Sequence, residues 1–242
     1  KRWSLSSIIA AILLAPLFAP PATALVNERD SKIWGHIYAG PVSIKVSNIT
    51  NFGGAKLEAK SKFEVTYNNF PAWAQRDIQA AVDVWASNFQ SSVPIKVDAT
   101  WGRSAVYGLL GSARPGNYFN NFVNAPDPTL WYPSALANAL ANRDLDKNNP
   151  EIVIQVNSLA PWDTRNDGKP TGSEFDLQSV FIHEIGHGLG FLSTDSYDPF
   201  FGYGSIDQPT PFDAYLQLSD GRRLSDLPSP SVELGRALTS TL

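Results

Sequence analysis

Residues 181–191 read FIHEIGHGLGF. Phe175, Leu177, Val180, Phe181 and Ile182 give this stretch the apolar body of a packed helix. Ser173, three residues before Asp176, resembles a capping box with Asp where Glu or Gln is usual, so the helix is expected to start there. Gly186, Gly188 and Gly190 are poor helix formers, and glycine marks a helix end. A large side chain at 186 or 188 would crowd a neighbouring strand or ligand.

The same stretch carries chemistry. His183, Glu184 and His187 spell H-E-x-x-H. Residues four apart share a helix face about one turn up the axis, so the two imidazoles can point at one metal ion. Glu184 lies about 100° round from His183, within reach of a water on that metal. Zinc suits this donor set, because it accepts neutral imidazole and keeps one position open in catalytic sites. Bound zinc brings water to a pKa of roughly 7, and Glu184 can take the released proton and pass it to a leaving amine. The residues therefore point to peptide-bond hydrolysis, with His183 and His187 as metal ligands and Glu184 as general base.

The longer string His183-Glu184-Ile185-Gly186-His187-Gly188-Leu189-Gly190-Phe191 resembles the metzincin clan of zinc endopeptidases. It is similar to the helix of leishmanolysin-type enzymes and of secreted bacterial zincins with H-E-x-x-H-x-x-G-F. The resemblance covers roughly residues 63–242. In that clan Gly190 would let the chain turn back under the metal, and the third ligand would follow three residues later. Ser193 stands there, and the chain has no Met to form the clan's Met-turn. In leishmanolysin-type enzymes an insertion separates the glycine from the third His. The resemblance thus implies a third ligand and a Met-turn beyond Leu242. The implied fold is α+β and zincin-like: a twisted mixed sheet packed on helices, one of them bearing the zinc site.

The start of the chain reads as an export signal. Lys1 and Arg2 are a positive beginning, residues 8–18 are apolar but for Pro16, and Ala22-Thr23-Ala24 fits a cleavage site. That run is too short to span a bilayer comfortably. A signal peptide over 1–24, a secreted or periplasmic protein and no membrane span after cleavage are expected. A net charge of −4 argues against nucleic acid as a partner. With no cysteine, disulfides are excluded, and so is latency through a thiolate on the metal.

Residues 25–60 are expected to be an N-terminal extension or the first strands, with a strand over 42–46 and a formal glycosylation sequon at Asn48. The zincin domain is expected over 61–242. Alternation predicts strands at Phe63, Val65 and Tyr67 and at Ile95, Val97, Ala99 and Trp101. Between them Ile78, Ala81, Val82, Trp85 and Phe89 predict an amphipathic helix opened by Pro71. A short helix is predicted within 132–143. Asp144, Asp146, Asn148 and Glu151 alternate oxygen side chains that could hold calcium, or form a solvated turn.

Ile152, Val153, Ile154 and Val156 predict a further strand. By analogy with metzincins, whose edge strand carries the extended substrate, Ile152, Ile154 and Val156 are candidate substrate-binding residues acting by strand addition. The alternative is an ordinary core strand. With only three histidines in the chain, an internal third ligand would be Asp195, Asp213, Asp198, Asp207 or His36. A late glutamate would be Glu233. Tyr197, Tyr203 and Tyr215 are possible oxyanion stabilisers. The expected function is a secreted zinc-dependent endopeptidase acting on protein or peptide. The alternative is a catalytically silent zincin-like binding or adhesion module.

Overall fold

The computed structural model describes residues 26–30, 33–39, 58–165, 167 and 169–240. The expected signal segment 1–24, the strand over 42–46 and the Asn48 sequon lie outside the described residues. In chain order the elements are β1 (Asn27–Asp30), β2 (Gly35–Tyr38), β3 (Phe63–Asn68), α1 (Ala72–Asn88), β4 (Ile95–Gly102), β5 (Leu109–Pro115), β6 (Asn117–Asn120), β7 (Tyr132–Pro133), α2 (Ser134–Ala141), β8 (Ile152–Asn157), α3 (Leu177–Leu189), β9 (Ser196–Asp198), β10 (Tyr203–Ser205) and α4 (Pro211–Tyr215). A 3₁₀ turn (Leu224–Asp226) and α5 (Val232–Thr239) close the described chain. The class is mixed α+β.

The main sheet has five strands in the order β2-β5-β8-β4-β3. β3, β4 and β8 run parallel, as crossovers through helices require, and β5 and then β2 add antiparallel on one side. Period-2 alternation places Ile95, Val97 and Ala99 of β4 in the core, while Glu64 and Thr66 of β3 face solvent. α1 starts behind Pro71 and buries Ile78, Ala81 and Val82. It lies beside α3, tied to it by Trp85, whose indole N–H donates to the Ile182 carbonyl at 2.9 Å. Smaller apolar clusters sit under β6, β7 and α2 and among the residues after Ile206. Among the described residues no helix is long and apolar enough to cross a membrane.

Two expectations change. The strand-addition role assigned to Ile152, Ile154 and Val156 does not fit β8. β8 is the middle strand, paired with β4 on one side and β5 on the other, and its three apolar side chains are fully buried. No backbone edge is left there for a peptide. Ile152, Ile154 and Val156 line its buried face, while Val153 is half-buried and Gln155 exposed on the other. Second, α3 starts later than the Ser173 cap implies. Asp176 is the N-cap, accepting from the Ser179 backbone N–H at 2.8 Å and from the Ser179 hydroxyl. Asp satisfies that orphan donor without Ser173.

The two helix glycines differ. A Cβ at Gly188 would lie 2.3 Å from Ile152 Cγ2, so α3 sits on β8 at a distance only glycine allows. At Gly186 the nearest atom is Trp85 Cζ2 at 3.5 Å, an ordinary contact. Gly190 closes α3 in the left-handed region at φ 117°.

The α1–α3 side also buries a carboxyl. Asp77 is 2 % exposed, and burial followed by the charge of Asp176 pushes its pKa up to about 6. The native state therefore holds this proton above the pH at which the unfolded chain releases it. The contribution to stability is complete below about pH 4 and is lost as pH rises through the folded value. Asp77→Asn removes that loss. It should be more stable than the parent by roughly 2 kcal/mol at pH 7.5 and close to it at pH 4, read by thermal melts at both pH values.

Candidate metal centre

α3 brings the motif residues to one face. The rings of His183 and His187 lie with centroids 4.4 Å apart and nearly perpendicular, at 89°. His183 is exposed, and its pKa is lowered first by partial burial and then by the neighbouring His187. Both effects favour the neutral ring that a metal requires.

The turn after α3 sets the tautomer of His187. Its Nδ1 lies 2.8 Å from the Phe191 carbonyl oxygen. A carbonyl only accepts, so Nδ1 carries the proton and Nε2 keeps its lone pair. That Nε2 is buried and meets no hydrogen-bond partner among the described residues. A backbone carbonyl on the far nitrogen is the usual way to orient a metal-ligating imidazole.

Glu184 lies deeper. It is 0 % exposed, and neither carboxylate oxygen meets a hydrogen-bond partner among the described residues. Burial alone pushes its pKa up to about 8. A carboxylate so placed is costly unless a cation or a proton compensates it. Room for it comes from Gly111 of β5, where a Cβ would lie 2.8 Å from Glu184 Oε1. Gly35 of β2 does the same for the imidazole: a Cβ there would stand 2.3 Å from both Cγ and Cδ2 of His187, over the ring. Two lone-pair nitrogens and an uncompensated carboxylate on one helix face fit a divalent cation such as zinc.

The candidates for a third ligand are not brought to this point. Among the described residues no group of three or more His, Cys, Asp or Glu gathers in a way that could hold a metal. Asp213 is fully buried as part of the α4 capping box. Its Oδ2 accepts from the Thr210 N–H, the Thr210 hydroxyl and the Thr194 hydroxyl, each at 2.8 Å. Asp195 keeps two buried oxygens that meet no hydrogen-bond partner among the described residues, and burial, followed by the charge of Asp213, raises its pKa to about 6. Asp198 caps the turn at Phe200 and Phe201, Asp207 is exposed, and exposed Glu233 pairs with Arg222 at 3.0 Å. His36 follows Gly35 in β2, so alternation turns its side chain to the opposite sheet face, where it is exposed beside Tyr38. Tyr197, Tyr203 and Tyr215 are exposed.

The oxygens considered for calcium have other partners. Asp144 pairs with Lys96 at 2.9 Å, and Asp146 accepts from Asn117 at 2.9 Å and from the Asn148 N–H at 2.9 Å. Glu151 accepts from the Lys96 N–H at 2.7 Å and from Asn138 at 3.0 Å.

Sequence reading missed Gly35, Gly111 and the Phe191 carbonyl. An isolated glycine within a strand pattern, as in Leu109-Leu110-Gly111-Ser112, signals a close approach and could have flagged Gly111. A backbone carbonyl leaves no side-chain signal. No family model, curated protein or solved structure matches the chain.

The Gly111–Glu184 contact is separable by mutation. Gly111→Ala should lower stability by about 1–3 kcal/mol, since the added methyl meets the carboxylate. In the Glu184→Ala background the same change should cost much less. Equal costs in both backgrounds, measured by denaturant unfolding, would mean that the two residues do not press on each other.

Proposed function

We propose that this chain is an exported zinc-dependent endopeptidase of metzincin type. One observation carries the reading. A buried carboxylate that meets no hydrogen-bond partner among the described residues stands next to His183, one turn from an imidazole whose metal-facing nitrogen is fixed by its other hydrogen bond. The sheet is compatible with a zincin-like domain, with parallel strands leading to the motif helix and an antiparallel strand beside it.

His183 and the Nε2 of His187 would hold the zinc. When bound, zinc supplies a Lewis acid that polarises the scissile carbonyl and acidifies water. Glu184 acts at its carboxylate oxygens, taking the proton of the attacking water and handing it to the leaving amine nitrogen. Burial raises its proton affinity and the charge of a bound zinc would lower it, so the two together would let the group accept and release a proton. Hydrogen bonding to Phe191 prevents the His187 ring from flipping and presenting its protonated nitrogen. Protein or peptide is the substrate class, and the leader expected over 1–24 would direct the chain out of the cytoplasm.

A second reading is favoured by one observation, that the described residues gather only two imidazoles at the site. In it the chain is a secreted binding or adhesion module that keeps the helix for structure. Peptide turnover separates the two. Glu184→Ala should retain bound zinc and lose turnover of a quenched peptide mixture by about 10²–10⁴-fold. Unchanged turnover would remove Glu184 from the chemistry. A zinc-bearing parent with no turnover on any peptide would favour the binding module.

A further inference from the structure

We propose that the segment 33–39 is an internal cover on this site, and that the working form is reached by lifting β2 from β5. Its functional consequence rests on the endopeptidase reading; its geometry does not.

β2 is the end strand of the sheet, four residues long, paired on one side only, with a register break between Ile37 and Tyr38. Gly35 lies over the His187 ring, and Ile37 stands opposite Gly111, whose α-carbon faces the Glu184 carboxylate. With β2 in place, Gly35 sits against His187, whose Nε2 is buried, while the equally buried oxygens of Glu184 lie against Gly111 of the neighbouring β5. Hydrolysis needs water and an extended peptide at those same atoms. β2 takes up the backbone edge of β5 that any added strand would need, so occupancy is exclusive. The absence of side-chain bulk at Gly35 lets the strand settle directly on the imidazole.

Besides the seat of Gly35 on His187, the cover is held by contacts that do not involve His183, Glu184 or His187. The Arg114 guanidinium stacks on the Trp34 ring at 5.1 Å, and the Ala39 N–H donates to the Gly108 carbonyl at 2.7 Å. Upstream, Arg29 of β1 lies against the rings of Tyr118 and Trp131, at 4.9 Å and 5.3 Å. Trp34→Ala therefore loosens the cover without touching the site. Gly35→Val prevents seating outright, because its Cβ would enter the His187 ring.

The test uses the full chain, its Trp34→Ala variant and its Gly35→Val variant. A fluorescent peptide with the sequence of residues 33–39 is titrated into each and followed by anisotropy, and turnover of a quenched peptide mixture is measured alongside. The peptide should bind the variants and not the parent, and turnover should rise at least about tenfold in Trp34→Ala, since the covered fraction is no longer withdrawn. Trp34→Ala carries the result if Gly35→Val does not fold. Equal peptide binding by parent and Trp34→Ala, or no binding by either, overturns the cover. Equal turnover in parent and variants also overturns it while leaving the endopeptidase reading intact. Selective peptide binding by the variants without turnover keeps the cover and removes the endopeptidase.

Discussion

The distance between α3 and the five-stranded sheet is set by glycines, and the candidate site exists because that distance is short. Gly188 lets the helix press on Ile152 in the middle strand, Gly111 makes room under β5 for the Glu184 carboxylate, and Gly35 brings β2 onto the His187 ring. A methyl group at any of the three would meet atoms at 2.3–2.8 Å. Close packing of this kind leaves Glu184 fully buried, and that burial raises its proton affinity. The helix is thus held in the sheet's apolar interior while carrying three polar groups on one side.

Two of the polar groups, His187 and Glu184, have unmet hydrogen-bonding capacity among the described residues. His187 uses Nδ1 on the Phe191 carbonyl and leaves Nε2 free. Glu184 meets no donor among the described residues. Burial of this sort costs stability unless a cation or a proton compensates it, so the site represents strain that the surrounding core sustains. The core has the means, with Phe181, Leu177 and Ile185 of the same helix fully buried against the sheet.

Much of this was legible in the sequence, for physical reasons that can be named. The strand–helix–strand order before α3 followed from two alternating runs around a 3.6-residue pattern, and tertiary packing respected those periods. The motif spacing placed the two imidazoles together because helix geometry is local. Long-range pairing was not legible. The position of β8 in the middle of the sheet depends on which strands reach its two edges, and its apolar run is equally that of an edge strand with one covered face. The start of α3 moved to Asp176 because two acceptable caps stood three residues apart, and packing chose between them. Asp213 looked available as a ligand only while its capping partners Thr194 and Thr210 were out of view.

The central claim is that His183 and His187 present their lone pairs to one metal ion, and a calorimetric zinc titration tests it most directly. The purified chain is first stripped with a chelator that is then removed, and His183→Ala and His187→Ala are treated alongside. About one zinc per parent chain, with binding weakened by at least roughly 100-fold in each variant, is the expected result. Binding that is absent from the parent, or unchanged when either histidine is removed, would contradict it.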